Sequence, residues 1–309
     1  MFKRVTWWMG TLFFFVLMSA VMMSAAPAYA NPTLRVMTSF SVMEEFVKRV
    51  AGDTVNVNAI VPRGEDVHRW ELTPPDVLAL EETRIVFYNG LGLEPWIRHI
   101  EAMSDDQLTL VAVAEKADYP VLTIPNGEYE GGPDPHMWMD PLGAAAYIDV
   151  IAETLAEHLP DQADAFYARA EQAREALTVL NQAIKERLDG IPQTNRSLLT
   201  SEAGFGYFAR AFAFETLSIW GVNHETQGSA QAMANMSEYL AEERPLALFY
   251  ESTTPDIHMD ALAREASISL AGPLYVDSLS GTEGPAANYA AMLRHNAEVM
   301  HAALGGATQ

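Results

Sequence analysis

Four short segments of this chain each carry one side chain able to bind a metal ion, at a point where an extended run gives way to a turn. Two of these side chains are imidazoles, His68 and His136, and two are carboxylates, Glu202 and Asp277. Imidazole nitrogens and carboxylate oxygens together suit divalent ions of borderline to hard character. If the fold brings the four side chains together, they form a complete coordination sphere.

The elements that position these residues follow from the hydrophobic pattern. β-Branched apolar runs alternate with helical patterns in the first half of the chain, and the same rhythm returns in the second half. Such alternation is typical of parallel sheets covered by helices. The eight predicted strands span residues 33–38, 55–61, 85–88, 108–113, 197–200, 216–222, 247–251 and 269–276.

Residues 161–188 contain neither proline nor glycine and repeat apolar side chains at intervals of three and four. This pattern predicts one helix of about 28 residues, roughly 42 Å long. Ordinary crossover helices have three or four turns. We therefore interpret the helix as a link between two α/β lobes, each with a four-stranded, mainly parallel sheet. The alternative is a single larger α/β domain in which this helix is one crossover.

The predicted organisation is a signal peptide at 1–30, a first lobe at 31–160, the linking helix at 161–190 and a second lobe at 191–309. In open parallel sheets, ligands bind outside the carboxyl ends of the strands. His68 follows the second strand, His136 follows the fourth, and Glu202 and Asp277 end the fifth and eighth. Two candidate ligands thus come from each lobe, and the cation is expected in the cleft between them.

The two carboxylates also have simpler interpretations. Asp277 could cap a turn with Ser278, and Glu202 could cap a helix beginning near Phe205. The joint placement of the four residues, rather than any one of them, favours the metal site.

Other residues near these segments are secondary candidates. His224 and His258 each follow a predicted strand of the second half and are the next histidines to consider as ligands. Asp140 and Glu251 are carboxylates that could accept the free N–H of a ligating imidazole and fix its tautomer.

The N-terminus indicates export. Lys3 and Arg4 precede an apolar run at 5–25, and Ala28-Tyr29-Ala30 offers the small residues that a signal peptidase recognises. We expect cleavage after Ala30 and a soluble periplasmic protein. A membrane anchor is the alternative, because the apolar run approaches the length that spans a bilayer. The sequence has no cysteine, so no lipid-modified N-terminal cysteine is expected.

The formal net charge of the chain is −22. Residues 1–30 hold two basic residues and no acidic one, so their removal makes the charge more negative still. Such a charge disfavours nucleic acid and anionic membrane surfaces as partners and attracts cations. We expect a monomer that binds no nucleic acid.

At these residues the chain resembles the metal-specific solute-binding proteins of ABC importers, which handle manganese, zinc and ferrous iron. The resemblance extends over essentially the whole chain after residue 30. Several motifs in the right order make the match specific: residues 61–68, 71–77, 88–96, Pro135-His136-Met137-Trp138-Met139-Asp140-Pro141, 201–208 and 272–280.

The resemblance implies two α/β lobes bridged by a rigid helix, with His68, His136, Glu202 and Asp277 as ligands and an inner-membrane ABC permease as partner. Family members similar to zinc carriers usually have a third histidine where this chain has Glu202, and many add a histidine-rich loop. Residues 123–133 contain no histidine. The resemblance therefore indicates the manganese and iron branch, with Mn(II) expected as transported ion and Fe(II) or Zn(II) as alternatives.

A metal-dependent enzyme and a surface adhesin that uses the metal structurally are the competing functions. Catalytic metal sites keep a position open for water or substrate, whereas four protein ligands tend to fill the coordination sphere. The sequence also has no H-E-x-x-H motif. We therefore expect a binding protein and not an enzyme.

Overall fold

The first half of the chain forms one parallel sheet. The computed structural model describes residues 34–127, 129–222 and 229–305. Four strands lie in the order β2-β1-β3-β4, and every neighbouring pair is parallel. They are β1 (Leu34–Thr38), β2 (Val55–Ala59), β3 (Ile85–Tyr88) and β4 (Thr109–Ala112).

Five helices accompany this sheet: α1 (Ser41–Ala51), α2 (Pro74–Glu81), α3 (Ile97–Met103), α4 (Val113–Lys116) and α5 (Pro141–His158). Helix α5 was not predicted from the sequence. Its start is nevertheless marked by residue type, because the Asp140 side chain accepts the backbone N–H of Leu142 and Pro141 occupies the first turn.

The predicted long helix is present as α6 (Ala163–Leu188), which has 26 residues and is therefore about 39 Å long. It starts two residues later than predicted because residues 160–162 form a 3₁₀ turn. Helix α6 contacts α1 and α5 of the first half. Its buried side chains follow the predicted spacing of three and four: Phe166, Ala170, Ala173, Leu177, Leu180, Ile184 and Leu188.

The second half repeats the strand–helix alternation. Strand β5 (Ser197–Glu202) pairs in parallel with β6 (Glu215–Trp220), and β7 (Ala247–Glu251) pairs in parallel with β8 (Ser269–Leu274). The helices are α7 (Gly206–Phe212), α8 (Ala230–Glu243), α9 (Ile257–Ala266) and α10 (Tyr289–Leu304), and α10 packs against α6. The predicted α/β class with parallel strands in both halves is confirmed.

The second sheet is less continuous than predicted, since it consists of two strand pairs. Strand β5 lies beside β7. At the end of β5, however, the backbone N–H groups of Ser201 and Glu202 donate to the side chain of Glu251. These N–H groups are therefore satisfied by a carboxylate rather than by a carbonyl of the neighbouring strand.

The predicted signal peptide and His224 lie outside the described residues. Within the part of the chain that is described, no helix combines the length and apolar character needed to cross a membrane.

Helix α6 provides a direct test of the packing. Leu180 is 3% exposed and lines a cavity of about 30 Å³ with Phe46 of α1, Ile148 of α5 and Tyr289 of α10. We expect Leu180→Ala to lower the free energy of unfolding by about 2–5 kcal/mol, because it removes buried methyl groups and enlarges the cavity. Urea unfolding measures this change.

The neighbouring Val179 is the matched control, since 66% of it is exposed. Val179→Ala should change the same free energy by no more than about 0.5 kcal/mol. Equal losses from the two substitutions would contradict the assignment of the buried face of α6.

Candidate metal centre

The four side chains predicted as ligands converge at the carboxyl ends of the strands. The potential ligand atoms of His68, His136 and Glu202 all lie within 4.8 Å of one another. Asp277 Oδ1 lies 3.7 Å from His68 Nε2 and 3.6 Å from His136 Nε2. None of the four residues is more than 3% exposed. The site is therefore enclosed, and both halves of the chain contribute to it.

His68 lies on the loop that follows β2. Gly64 adopts a φ of 86° in this loop, a conformation that side chains with a Cβ rarely adopt. The Asp66 carboxylate accepts the backbone N–H of His68 at 2.8 Å, and the Trp96 indole donates to the carbonyl of Val67, also at 2.8 Å. The backbone on the N-terminal side of His68 is thus fixed by two side chains.

His136 is oriented through its own ring. Asp134 Oδ1 lies 2.8 Å from His136 Nδ1 and also accepts the backbone N–H of His136 at 3.0 Å. A carboxylate partner places the proton of a neutral imidazole on Nδ1, which leaves the Nε2 lone pair for a metal. His136 Nε2 is buried and has no hydrogen-bond partner. The preceding carbonyl, of Pro135, accepts a hydrogen bond from Asn89 Nδ2 at 2.9 Å.

Glu202 is the last residue of β5 and is fully buried. Neither of its carboxylate oxygens has an N–H or hydroxyl donor. The space around it is tight: a Cβ added to Gly204 would lie 2.9 Å from Val276 Cγ1 and 3.6 Å from His136 Nε2. Glycine at position 204 therefore lets the chain pass close to Val276, with the imidazole at ordinary contact distance.

Asp277 lies three residues beyond the end of β8, which stops two residues earlier than predicted. The buried Asn296 of α10 bonds to both backbone groups of Tyr275, accepting the N–H at 2.9 Å and donating to the carbonyl at 2.7 Å. Trp138 Nε1 donates to the carbonyl of Val276 at 3.0 Å. Buried polar side chains from two other elements thus hold the backbone before Asp277.

The electrostatics of the site favour a cation. Burial raises the pKa of Glu202 well above its usual range, and the charges of Asp277 and Glu251 raise it further. Burial alone would lower the pKa of His68, but the charge and hydrogen bond of Asp277, together with the charges of Asp66 and Glu94, outweigh this effect and raise it. Burial would raise the pKa of Asp277, but His68 and His136 hold it below its usual value. Without a cation, protons must therefore compensate the buried carboxylates.

The simpler role considered for Glu202, a helix cap, is not seen. The residue preceding α7 is Phe205, and no side chain caps this helix, so Glu202 does not serve as its cap. His258 lies on α9, with its ring 5.7 Å from that of Trp220. It does not join the group of potential ligands found among the described residues.

The two carboxylates proposed to orient an imidazole have other partners, so that prediction was wrong. Asp140 accepts the Tyr119 hydroxyl and caps α5. Glu251 accepts backbone N–H groups of β5. Asp134 bonds to the His136 ring instead. The signal was present in the sequence, since a carboxylate two residues before an imidazole can reach both its ring and its backbone N–H.

The loop carrying Asp277 is fastened to the first half of the chain. Gly64 N donates to Ser278 Oγ at 2.7 Å, and Leu279 N donates to Ser41 Oγ at 2.9 Å. Arg63 Nη1 donates to two carbonyls of the same loop, those of Ser280 at 2.9 Å and Ala287 at 2.8 Å. Asp277 therefore belongs to the second half in sequence but is attached to the first half through the loop after it.

The segment before His136 is fastened in the opposite direction. The Tyr207 hydroxyl on α7 accepts the N–H of Leu122 at 3.0 Å and donates to the carbonyl of Asp134 at 3.1 Å. The side chains of Asn126 and Ser218 are hydrogen-bonded at 3.0 Å. We refer to these two sets of bonds, Arg63/Gly64/Ser41 with 278–287 and Tyr207/Ser218 with 122–134, as the crossed attachments.

Known proteins are similar to this chain in sequence and in architecture. The chain is 31% identical over 302 residues to iron-binding protein YfeA of Yersinia pestis, covering 96% of each chain. It is 31% identical over 266 residues to manganese-binding lipoprotein MntA of Halalkalibacterium halodurans, covering 86% of each. Among solved structures, the periplasmic zinc binding protein TroA from Treponema pallidum superposes with a TM-score of 0.82 at 27% identity, covering 88% of this chain and 99% of that one.

A second solved structure is a Mn-bound periplasmic metal binding protein from Candidatus Liberibacter asiaticus, with a TM-score of 0.79, 27% identity and coverage of 88% and 99%. The family model described as zinc-uptake complex component A, periplasmic, matches residues 36–303. This match spans nearly all of the described residues. The chain therefore belongs to the zinc-uptake component A family, which comprises the periplasmic metal-binding components of ABC transporters and not enzymes.

Proposed function

We propose that this protein captures one divalent transition-metal ion through His68, His136, Glu202 and Asp277 and delivers it to an ABC permease in the inner membrane. The observation that carries the proposal is that His136 Nε2 and both Glu202 oxygens are buried in one enclosed site and that no N–H or hydroxyl group bonds to them. Buried polar atoms are normally paired, because leaving them unpaired costs free energy. A bound cation would satisfy these atoms and neutralise the two carboxylates.

The distances in the site support an ion of this kind. Two ligand atoms that each lie about 2.1 Å from an ion are about 3.4 Å apart at a tetrahedral angle. The separations of 3.6 and 3.7 Å around Asp277 Oδ1 are only slightly larger. Contraction of a few tenths of an ångström would thus bring these ligands to bonding distance.

The donor set informs the identity of the ion. Two carboxylates and two neutral imidazoles balance a divalent charge, and carboxylate oxygens favour harder ions such as Mn(II) over Zn(II). The relatives with 31% identity are named for iron and manganese. We therefore propose Mn(II) or Fe(II) as the transported ion, with Zn(II) as the alternative. Because intrinsic affinities favour zinc over both, selectivity has to come from geometry and metal supply.

The proposed lobes are residues 31–160 and 191–309, linked by residues 161–190. We propose that metal binding and release use small loop or lobe shifts rather than a wide hinge. Helix α6 packs on helices from both halves, and the crossed attachments join each half to a ligand-bearing segment of the other. A wide opening would break both sets of bonds.

The proposed site of action is the periplasm, reached by export and cleavage after Ala30. Several relatives are named lipoproteins. In those proteins the name implies an attached lipid, whereas this sequence contains no cysteine to receive one. We propose that the chain works as a monomer.

Calorimetry tests the ligand set. We expect the purified protein, stripped of metal, to bind one Mn(II) per chain. His136→Ala should weaken Mn(II) binding more than about 100-fold, because loss of a ligand exceeds the 10- to 100-fold effect typical of supporting residues. His99→Ala is the control, since His99 is exposed on α3 and should leave binding unchanged. Unaltered affinity in His136→Ala would contradict the assignment.

The pKa shifts give a pH dependence. The pKa values of His68 and Glu202 are raised in the empty site, so both hold protons that the metal must displace. Affinity for Mn(II) should therefore be highest at alkaline pH. As the pH is lowered, the affinity should begin to fall at a pH above 6.5, the usual pKa of histidine, by about tenfold per pH unit for each proton displaced. An affinity that stays constant between about pH 7 and pH 5, across the normal titration of histidine, would contradict imidazole ligands.

Elemental analysis of protein taken from its native compartment identifies the ion. We expect manganese or iron in the wild type and a shift toward zinc in Glu202→His, because the change exchanges an oxygen ligand for a nitrogen. Zinc in the wild type would overturn the choice of ion and leave the transport proposal intact.

Retained uptake of all three metals after deletion of the gene would contradict transport and favour the adhesin.

A further inference from the structure

Glu251 is a fully buried carboxylate beside an irregularity in the sheet. It ends β7 and is 1% exposed. The β7–β8 ladder shifts register between Phe249 and Glu251, and β8 carries the extra residue beside them. Irregularities of this kind are common beside functional sites. Here the side chain of Glu251 reaches the end of β5.

The contact that Glu251 makes there is with the backbone of a proposed ligand. Glu251 Oε1 accepts the N–H of Ser201 at 2.9 Å and the N–H of Glu202 at 3.2 Å. On the other side, the carbonyl of Glu202 accepts the Thr200 hydroxyl at 2.7 Å. The peptide groups on both sides of the Glu202 Cα are therefore held by side chains.

Glu202 depends on this support more than His136 does. The ring of His136 is held directly by Asp134, whereas no N–H or hydroxyl group bonds to the Glu202 carboxylate. Before a metal binds, the direction of the Glu202 side chain thus depends on its backbone, on packing and on its contact with the Asp277 carboxyl group. The contact with Glu251 fixes that backbone at the residue where the strand ends.

We propose that Glu251 is a positioning residue that aims the Glu202 carboxylate at the metal and thereby favours ions that prefer oxygen ligands, Mn(II) and Fe(II), over Zn(II). The inference rests on the proposed function, in which Glu202 is a ligand. If Glu202 is displaced, two imidazoles and Asp277 remain. Two imidazoles and one carboxylate are a common ligand set for zinc. The affinity of the site for Zn(II) should therefore fall less than its affinity for Mn(II).

The test measures Mn(II) and Zn(II) affinities by competition with a chelating dye, in folded protein verified by circular dichroism. Glu251→Met keeps the approximate volume but removes the acceptor, and should weaken Mn(II) binding about 10- to 100-fold and Zn(II) binding less. Glu251→Gln keeps an oxygen acceptor and should retain the wild-type ratio of the two affinities. Glu251→Asp keeps the charge but is one methylene too short to bridge both N–H groups, and should behave like Glu251→Met.

Three outcomes would overturn the proposal: equal loss of both metals in Glu251→Met, a wild-type ratio in Glu251→Asp, or loss of the ratio in Glu251→Gln. If Glu251→Met does not fold, the Gln and Asp variants decide the question between them. The double variant with Glu202→Ala separates this inference from the proposed function. Glu251→Met should not change the metal ratio further in that background, and a Glu202→Ala protein that binds Mn(II) like the wild type would sink the ligand assignment itself.

Discussion

The burial of two carboxylates beside two imidazoles is the constraint on which the rest of this structure depends. Carboxylates removed from water become protonated unless positive charge compensates them. Glu202 shows this directly, since burial raises its pKa well above the usual range, while the histidines hold the pKa of Asp277 down. Such an arrangement costs folding free energy when empty. A divalent cation bound there would neutralise the carboxylates, so part of the free energy spent on folding the empty site would be recovered as affinity for the cation.

The scaffold keeps these groups close by fixing the backbone at each of them. The backbone next to every proposed ligand is bonded to a polar side chain from a different element: Trp96 for His68, Asn89 for His136, Glu251 for Glu202, and Asn296 with Trp138 for Asp277. Ligands that are held in place pay little ordering entropy when the ion arrives. In the proposed function, the same rigidity sets the size of the site and thereby contributes to the choice among ions of similar charge.

Much of the fold and the convergence of the four side chains followed from the sequence. The β-branched runs placed all eight strands, and the rule for parallel sheets put His68 and Glu202 at one edge. Helix α5 was not predicted, although Asp140 and Pro141 mark its start in the sequence. Long-range hydrogen bonds leave no periodic signal. The role of Glu251 was therefore misassigned, and the contacts of Arg63 and Tyr207 were not foreseen. The contact of Asp134 with His136 is local and could have been predicted from their spacing.

The crossed attachments make the division of the chain in sequence different from its division in structure. Arg63 and Gly64 of the first half bind the segment 278–287, and Tyr207 and Ser218 of the second half bind the segment 122–134. A fragment cut near residue 160 would keep two candidate ligands but lose the residues that anchor one of its own loops. A chimaera that takes one half of the chain from a relative would therefore have to keep both partners of every bond in the crossed attachments.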